Sequence, residues 1–183
     1  MAMDAAALAA ALQDAVPGSA PETAPTVDLH ATVYVDRDAV EPVARALRGR
    51  PDLAFTLLAE LTAADFWPRE PRFELIYILV SPAHRQRLRL KVRLHANDAH
   101  VATVSGIWPA ANWLEREVWD LFGIAFDGHP DPRRLLMPED WQGHPLRKDY
   151  PVQIRMKPGA AEPIQVTEAE FRANLQKDRL SRQ

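Results

Sequence analysis

The side chains best placed to do chemistry in this chain are carboxylates and histidines gathered between Glu115 and Tyr150. Glu115 and Glu117 stand two apart, Asp120 follows, and His129 and His144 each precede a proline. Paired carboxylates serve as general acid and base when their surroundings push their pKa values apart. Two positions apart on a helix, Glu115 and Glu117 point in different directions and do not converge on a substrate. The histidines show no His-Glu-x-x-His spacing, and His129 and His144 with Asp131 or Asp149 make only a weak zinc set. They read instead as loop histidines that hydrogen-bond backbone. Cysteine is absent, which excludes disulfides, thiolate-held iron–sulfur clusters and cysteine zinc sites within this sequence. The seven glycines are scattered singly, with no dinucleotide fingerprint, P-loop or nucleophile elbow. No catalytic, cofactor-binding or metal residue is expected in this chain.

The stretch holding these groups, EREVWDLFGIAFDGHPDPRRLLMPEDWQGHPLRKDYP (115–151), begins as an amphipathic helix and then loses its periodicity. A segment so polar and proline-rich cannot form a core of its own, so it is either disordered or laid on another surface. Phe122, Phe126, Trp141 and Tyr150 argue for the second. The expectation is an arm, mobile in the isolated chain, that finds its contacts on a partner.

A helix from Pro109 to Phe122, stopped by Gly123, would carry the acids. At about 100° per residue, Ala110, Trp113, Leu114, Val118, Leu121 and Phe122 form its apolar stripe. Glu117 falls inside that arc, and Arg116 and Asp120 lie opposite. A buried carboxylate must be paired. Glu117, together with Glu115, is therefore expected to anchor the arm or a neighbouring chain through Arg133, Arg134, Arg147 or Lys148.

The elements that would position this helix read as an α/β (α+β) domain: a mixed sheet of four to five strands flanked by helices, followed by the long extended arm. VDLHATVYV (27–35) alternates as a half-buried strand, and Asp36 or Asp38 caps a helix that Gly49 stops. LAFTLLAELT (53–62) and FELIYILV (73–80) are continuous apolar runs suited to strands covered on both faces. RLRLKVRL (87–94) alternates without fault, and VATVS (101–105) adds a short strand. The outward cations of 87–94 suggest a protein–protein face more than a nucleic-acid one, since no aromatics interleave them. Thr167 and Glu170 form a capping box for a terminal solvated helix. Three parts follow: an Ala/Pro-rich segment (1–25) with a short solvated helix, the α/β domain (26–125), and the arm with its terminal helix (126–183).

A net charge of −3 gives no reason to expect nucleic acid, and no run reaches the roughly eighteen apolar residues needed to span a bilayer. The first base is Arg37, so the Ala-rich N-terminal stretch lacks the basic residues of a secretory or mitochondrial signal. It reads as cytosol-facing.

The 115–151 stretch also strongly resembles the C subunit of proton-pumping NADH:quinone oxidoreductase, the 30-kilodalton subunit of respiratory complex I. The family signature falls on Glu115, Arg116, Glu117, Asp120, Leu121, Phe122, His129, Arg133, Leu135 and Leu136, alongside Arg134. A second block, LMPEDWQGHPLRKDYP, carries Trp141, His144, Arg147, Lys148, Asp149 and Tyr150, while LTAADFWP and RLRLKVRL occur upstream in the family's order. Pro132 stands where an aliphatic residue is expected. The resemblance spans roughly residues 50–155 and leaves 1–25 and 159–183 unassigned. It implies a non-redox structural subunit of a hetero-oligomeric complex, without cofactor of its own, while partner subunits carry FMN and iron–sulfur clusters. The implied partners are the D subunit, which helps form the quinone site, and the ferredoxin-like cluster subunit. The implied location is the cytoplasmic side of the bacterial inner membrane, bound peripherally. An equivalent subunit of a membrane-bound hydrogenase or other-donor dehydrogenase complex is the alternative.

Overall fold

A five-stranded mixed sheet organises the fold, its strands in the order β1 (Glu22–Thr23), β2 (Ala31–Tyr34), β5 (Gln86–Leu94), β4 (Phe73–Ser81), β3 (Leu57–Asp65). The structure, a computed structural model, describes residues 3–26, 28 and 30–151. Its centre is the antiparallel pair β4 (Phe73–Ser81) and β5 (Gln86–Leu94), in register from Phe73 opposite Leu94 to Ser81 opposite Gln86. The period-two pattern decides the faces: Phe73, Leu75, Tyr77 and Leu79 of β4 and Leu88, Leu90, Val92 and Leu94 of β5 are buried together. β2 (Ala31–Tyr34) joins β5 in parallel, and the short β1 (Glu22–Thr23) closes that edge in antiparallel pairing. β3 (Leu57–Asp65) forms the opposite edge beside β4.

Helix α1 (Ala5–Ala15) packs against β2 and the helix at Val40–Gly49. Helix α2 (Val40–Gly49) follows a 3-10 turn at Arg37–Ala39 and buries Val40, Val43, Ala44 and Leu47. β6 (His100–Ala102) and β7 (Ala125–Asp127) pair in parallel as a second small sheet. Between them in sequence runs α3 (Ala111–Phe122), which packs against β3 and ends at Gly123 in the left-handed region, φ 75°.

Several expectations are corrected. The first helix is not solvated: Leu8 and Leu12, one turn apart, are fully buried, and residues 22–23 add a strand to the sheet. The run 53–62 is a turn and then an edge strand. Leu53 and Phe55 are buried from the turn, whereas Leu57 is 49% exposed and the register slips between Leu58 and Glu60. Core burial of a loop thus mimicked a covered strand. β4 alternates buried with half-buried residues, so it too is not covered evenly on both faces. The outward cations of β5 are largely matched, Arg89 by Asp28, Lys91 by Glu74 and Arg93 by Glu22. One compact unit runs to Tyr150 and takes in residues 126–150. The terminal helix around Thr167 and Glu170 lies outside the described residues.

Candidate docking site: an arm clasped on helix α3

Three faces of α3 meet three surroundings. Ala111, Glu115, Val118 and Phe122 recur at helical spacing and are buried towards the body. Asn112, Arg116 and Asp120, spaced by four, meet the returning arm. Trp113, Glu117 and Leu121 occupy the remaining face.

Asp120 is the centre of the clasp. One carboxylate oxygen accepts the N–H groups of Leu135, Leu136 and Met137 at 3.0, 2.8 and 2.8 Å, and the other accepts Arg134 Nη1 at 2.6 Å. Its side chain is fully buried. Burial by itself would raise its pKa. The Met137 N–H, the Arg134 guanidinium and the N–H groups of Leu136 and Leu135 outweigh that, holding the carboxyl below the usual range. Arg134 also donates to the carbonyls of Trp141 and Gly143, gathering the next turn of the arm, and lies over the Trp119 ring. Arg116 donates to the carbonyls of Arg133 and Arg134 at 2.9 Å each. One carboxylate and two guanidiniums therefore satisfy backbone groups of a segment that has no secondary structure of its own.

The two histidines act as braces. His129 Nδ1 accepts the Asp131 N–H at 3.0 Å, which leaves Nε2 as the donor to Asn112 O at 3.1 Å. His144 Nδ1 bonds Asp120 O at 3.0 Å, and its ring meets Trp119 edge to face. A Cβ on Gly123 would fall 2.5 Å from the His144 ring, so glycine is required there by close approach as well as by φ. Further on, Leu146 N–H donates to Leu121 O, Trp141 stacks on Tyr150, and the Tyr150 hydroxyl donates to Gln142 O.

The end of the arm is held by a second cluster. Arg72, 4% exposed, makes a double hydrogen bond to Asp65, 2% exposed, at 2.9 and 2.7 Å, and another to Asp149 at 2.9 and 2.7 Å. The Lys148 and Trp67 N–H groups complete Asp65. Burial opposes ionisation of Asp65, but these donors prevail and bring its pKa to about 2. Arg147 lies over the Phe73 ring and bonds Asp149 at 3.3 Å.

Glu115 does not meet Arg133, Arg134, Arg147 or Lys148. Its carboxyl is fully buried, accepts the Val104 N–H at 2.7 Å and the Thr103 hydroxyl, and lies 3.8 Å from His129 Nε2. Burial pushes its pKa up to about 7. The Tyr77 hydroxyl is buried without a described partner, and its pKa is raised by burial and by the nearby Glu115 charge.

The expected faces of α3 are thus partly redrawn: Val118 and Phe122 of the apolar stripe are buried, but Trp113 is not. Arg116 and Asp120 are the buried, arm-binding pair, Glu117 has no hydrogen-bond or ion-pair partner among the described residues, and Trp113 is 57% exposed. Apolar count misplaced Arg116 and Asp120 because the arm, not the sheet, buries the polar side of the helix. Of the signature residues, Arg116, Asp120, Leu121, His129, Arg133, Arg134, Leu135, Leu136, Trp141, His144, Lys148, Asp149 and Tyr150 join in the arm's attachment, through side chain or backbone. Arg133 pairs at the surface with Asp131, and the Leu136 side chain is 59% exposed. Asp65 and Arg72 were missed by sequence reasoning. The LTAADFWP block, which contains Asp65, was the available signal. Among the described residues no group of three or more His, Asp or Glu is poised to hold a metal.

The same architecture occurs in solved structures. A trypsin-resistant fragment (1–134) of Nqo5 superposes with a TM-score of 0.54 at 33% identity, covering 61% of this chain and 89% of the fragment. A chain of an archaeal respiratory membrane complex, the membrane-bound sulfane sulfur reductase, superposes with a TM-score of 0.65 at 27% identity, covering 77% of this chain and 82% of the other. The class is therefore an α/β subunit of the kind built into respiratory membrane complexes. Residues 33–155 match the family described as "Respiratory-chain NADH dehydrogenase, 30 Kd subunit", and the chain belongs to that family. Its relatives include the C subunit of the NADH-quinone oxidoreductase of Roseiflexus sp. (strain RS-1), 49% identical over 145 residues, 79% of this chain and 80% of its own. The C subunit of the same enzyme from Geobacter sulfurreducens is 49% identical over 123 residues, 67% of this chain and 75% of its own.

Proposed function

We propose that this chain is the non-redox structural subunit of the peripheral arm of an NADH:quinone oxidoreductase, supporting electron transfer from NADH through FMN and iron–sulfur clusters of partner subunits to quinone. Family membership supports the assembly. The observation that carries the structural role is the clasp: most residues of the family signature fix the arm to α3 and to the Asp65–Arg72 corner. A segment without regular structure is thereby given one shape, which suits a surface that must hold neighbours in register. The neighbours in this reading are the D subunit and the ferredoxin-like cluster subunit. No described helix is long and apolar enough to cross a membrane, and the reading places attachment on other subunits at the cytoplasmic face.

Affinity purification of the tagged chain from membranes, followed by mass spectrometry, tests this. Co-purification of the D and cluster subunits together with NADH-dependent quinone reduction is the expected result. A second reading rests on the likeness to the chain of the sulfane sulfur reductase, a respiratory complex whose name does not include NADH. Co-purification of a complex that ignores NADH would favour it, and recovery of the chain alone would defeat both.

A further inference from the structure

We propose that the outer face of α3, formed by Trp113, Glu117 and Leu121 and extended by Leu146, is the seat of an arginine-bearing segment of a neighbouring subunit. This rests on the multi-subunit reading above and names a specific contact within it. The face is marked by what α3 leaves over. Its charged side chains Glu115, Arg116 and Asp120 are fixed inside the fold by hydrogen bonds. Glu117 alone has no partner among the described residues, although it is half-buried between Trp113 and Leu121, one turn to either side.

Around that single carboxylate the surface is apolar. Trp113 is 57% exposed, with the Arg116 guanidinium 5.2 Å from its ring centroid. Leu121 is half-buried, and Leu146, whose N–H is bonded to Leu121 O, is 52% exposed. An exposed apolar strip of this kind marks an interaction surface. One uncompensated acid within it selects a cation, because burying the carboxylate unpaired would oppose docking. Arginine fits better than lysine. Its planar fork matches a carboxylate with two hydrogen bonds, and its face stacks on an aromatic ring one helical turn away. Aromatic and arginine side chains are also the usual energetic centres of interfaces. The occupant is therefore a segment presenting one arginine among apolar residues.

The test uses the assembled complex. Trp113→p-benzoylphenylalanine, irradiated in membranes, is expected to cross-link to another subunit of the complex at an arginine-containing peptide. Glu117→Arg is expected to reduce that cross-link and the yield of intact complex by at least about tenfold, since like charges face each other across the contact. The melting temperature of the isolated Glu117→Arg chain is expected to match wild type, which separates a docking defect from a folding one. Cross-linking to residues 152–183 of this same chain would show that its own tail covers the face and overturn the proposal. So would the absence of any cross-link, or full assembly of the Glu117→Arg variant. If wild-type chain co-purifies with its complex while the face stays bare, only this inference falls. If wild type co-purifies with nothing, the functional reading falls with it.

Discussion

Replacing Asp120 by alanine removes one side chain from the centre of the clasp and strands every group it serves. Three backbone N–H groups, of Leu135, Leu136 and Met137, lose their acceptor, and Arg134, with a side chain 14% exposed, loses its carboxylate at 2.6 Å. A hydrogen bond to a charged group contributes about 1.5–3 kcal/mol, and breaking a buried pair by removing one partner costs about 3–5 kcal/mol. These overlap and do not add, so the expected loss for Asp120→Ala is about 3–5 kcal/mol. In a domain of this size each kcal/mol moves the melting temperature by about 2–4 °C, which places the shift near 10 °C. Thermal unfolding of the isolated chain, followed by tryptophan fluorescence, reads the stability. Hydrogen exchange at the amides of 135–137 reads the clasp itself. Asp120→Asn keeps the volume and one acceptor oxygen and should fall between wild type and alanine. Glu117→Gln, on the open face, should stay within about 0.5 kcal/mol of wild type. An unchanged melt for Asp120→Ala, with the 135–137 amides exchanging freely in wild type, would refute the clasp and restore the arm to a partner surface.

Glu115 gives a pH signature. Its folded pKa of about 7 lies above its ordinary value of 4.5, so the folded chain holds a proton that the unfolded chain has released between those limits. Stability should therefore fall as pH rises from about 4.5 to 7, by about 3 kcal/mol in total, and Glu115→Gln should flatten that slope in urea titrations. Gly123→Ala should cost about 1–3 kcal/mol by strain at φ 75°, and more through displacement of His144, seen as lost protection at 144–146.

Local pattern determined a good part of this protein. The unbroken alternation of 87–94 set β5 and its buried face, because a period of two leaves only one way to turn a half-apolar strand. Gly123 marked the end of α3, since a left-handed terminal residue has few alternatives to glycine. The run from Glu115 to Pro151 carried the family, and with it the assembly. What the sequence alone could not place was the division of α3 into faces. Apolar count pointed rightly to Val118 and Phe122 but also to Trp113, whereas the fold buries Arg116 and Asp120 as well. Their partners are backbone groups of residues 133–137, fourteen or more positions on, and no helical period encodes where a later segment returns. The Asp65–Arg72–Asp149 corner has the same origin: it joins a hairpin to the arm across 77 positions, and only the folded chain brings the second carboxylate to the guanidinium. Leu8 and Leu12 lay hidden in an alanine-rich stretch whose composition reads as solvated until a sheet edge and α2 are there to cover them. Periodicity reports the faces that regular neighbours bury. Where the neighbour is an irregular arm held by hydrogen bonds, the tertiary structure alone decides.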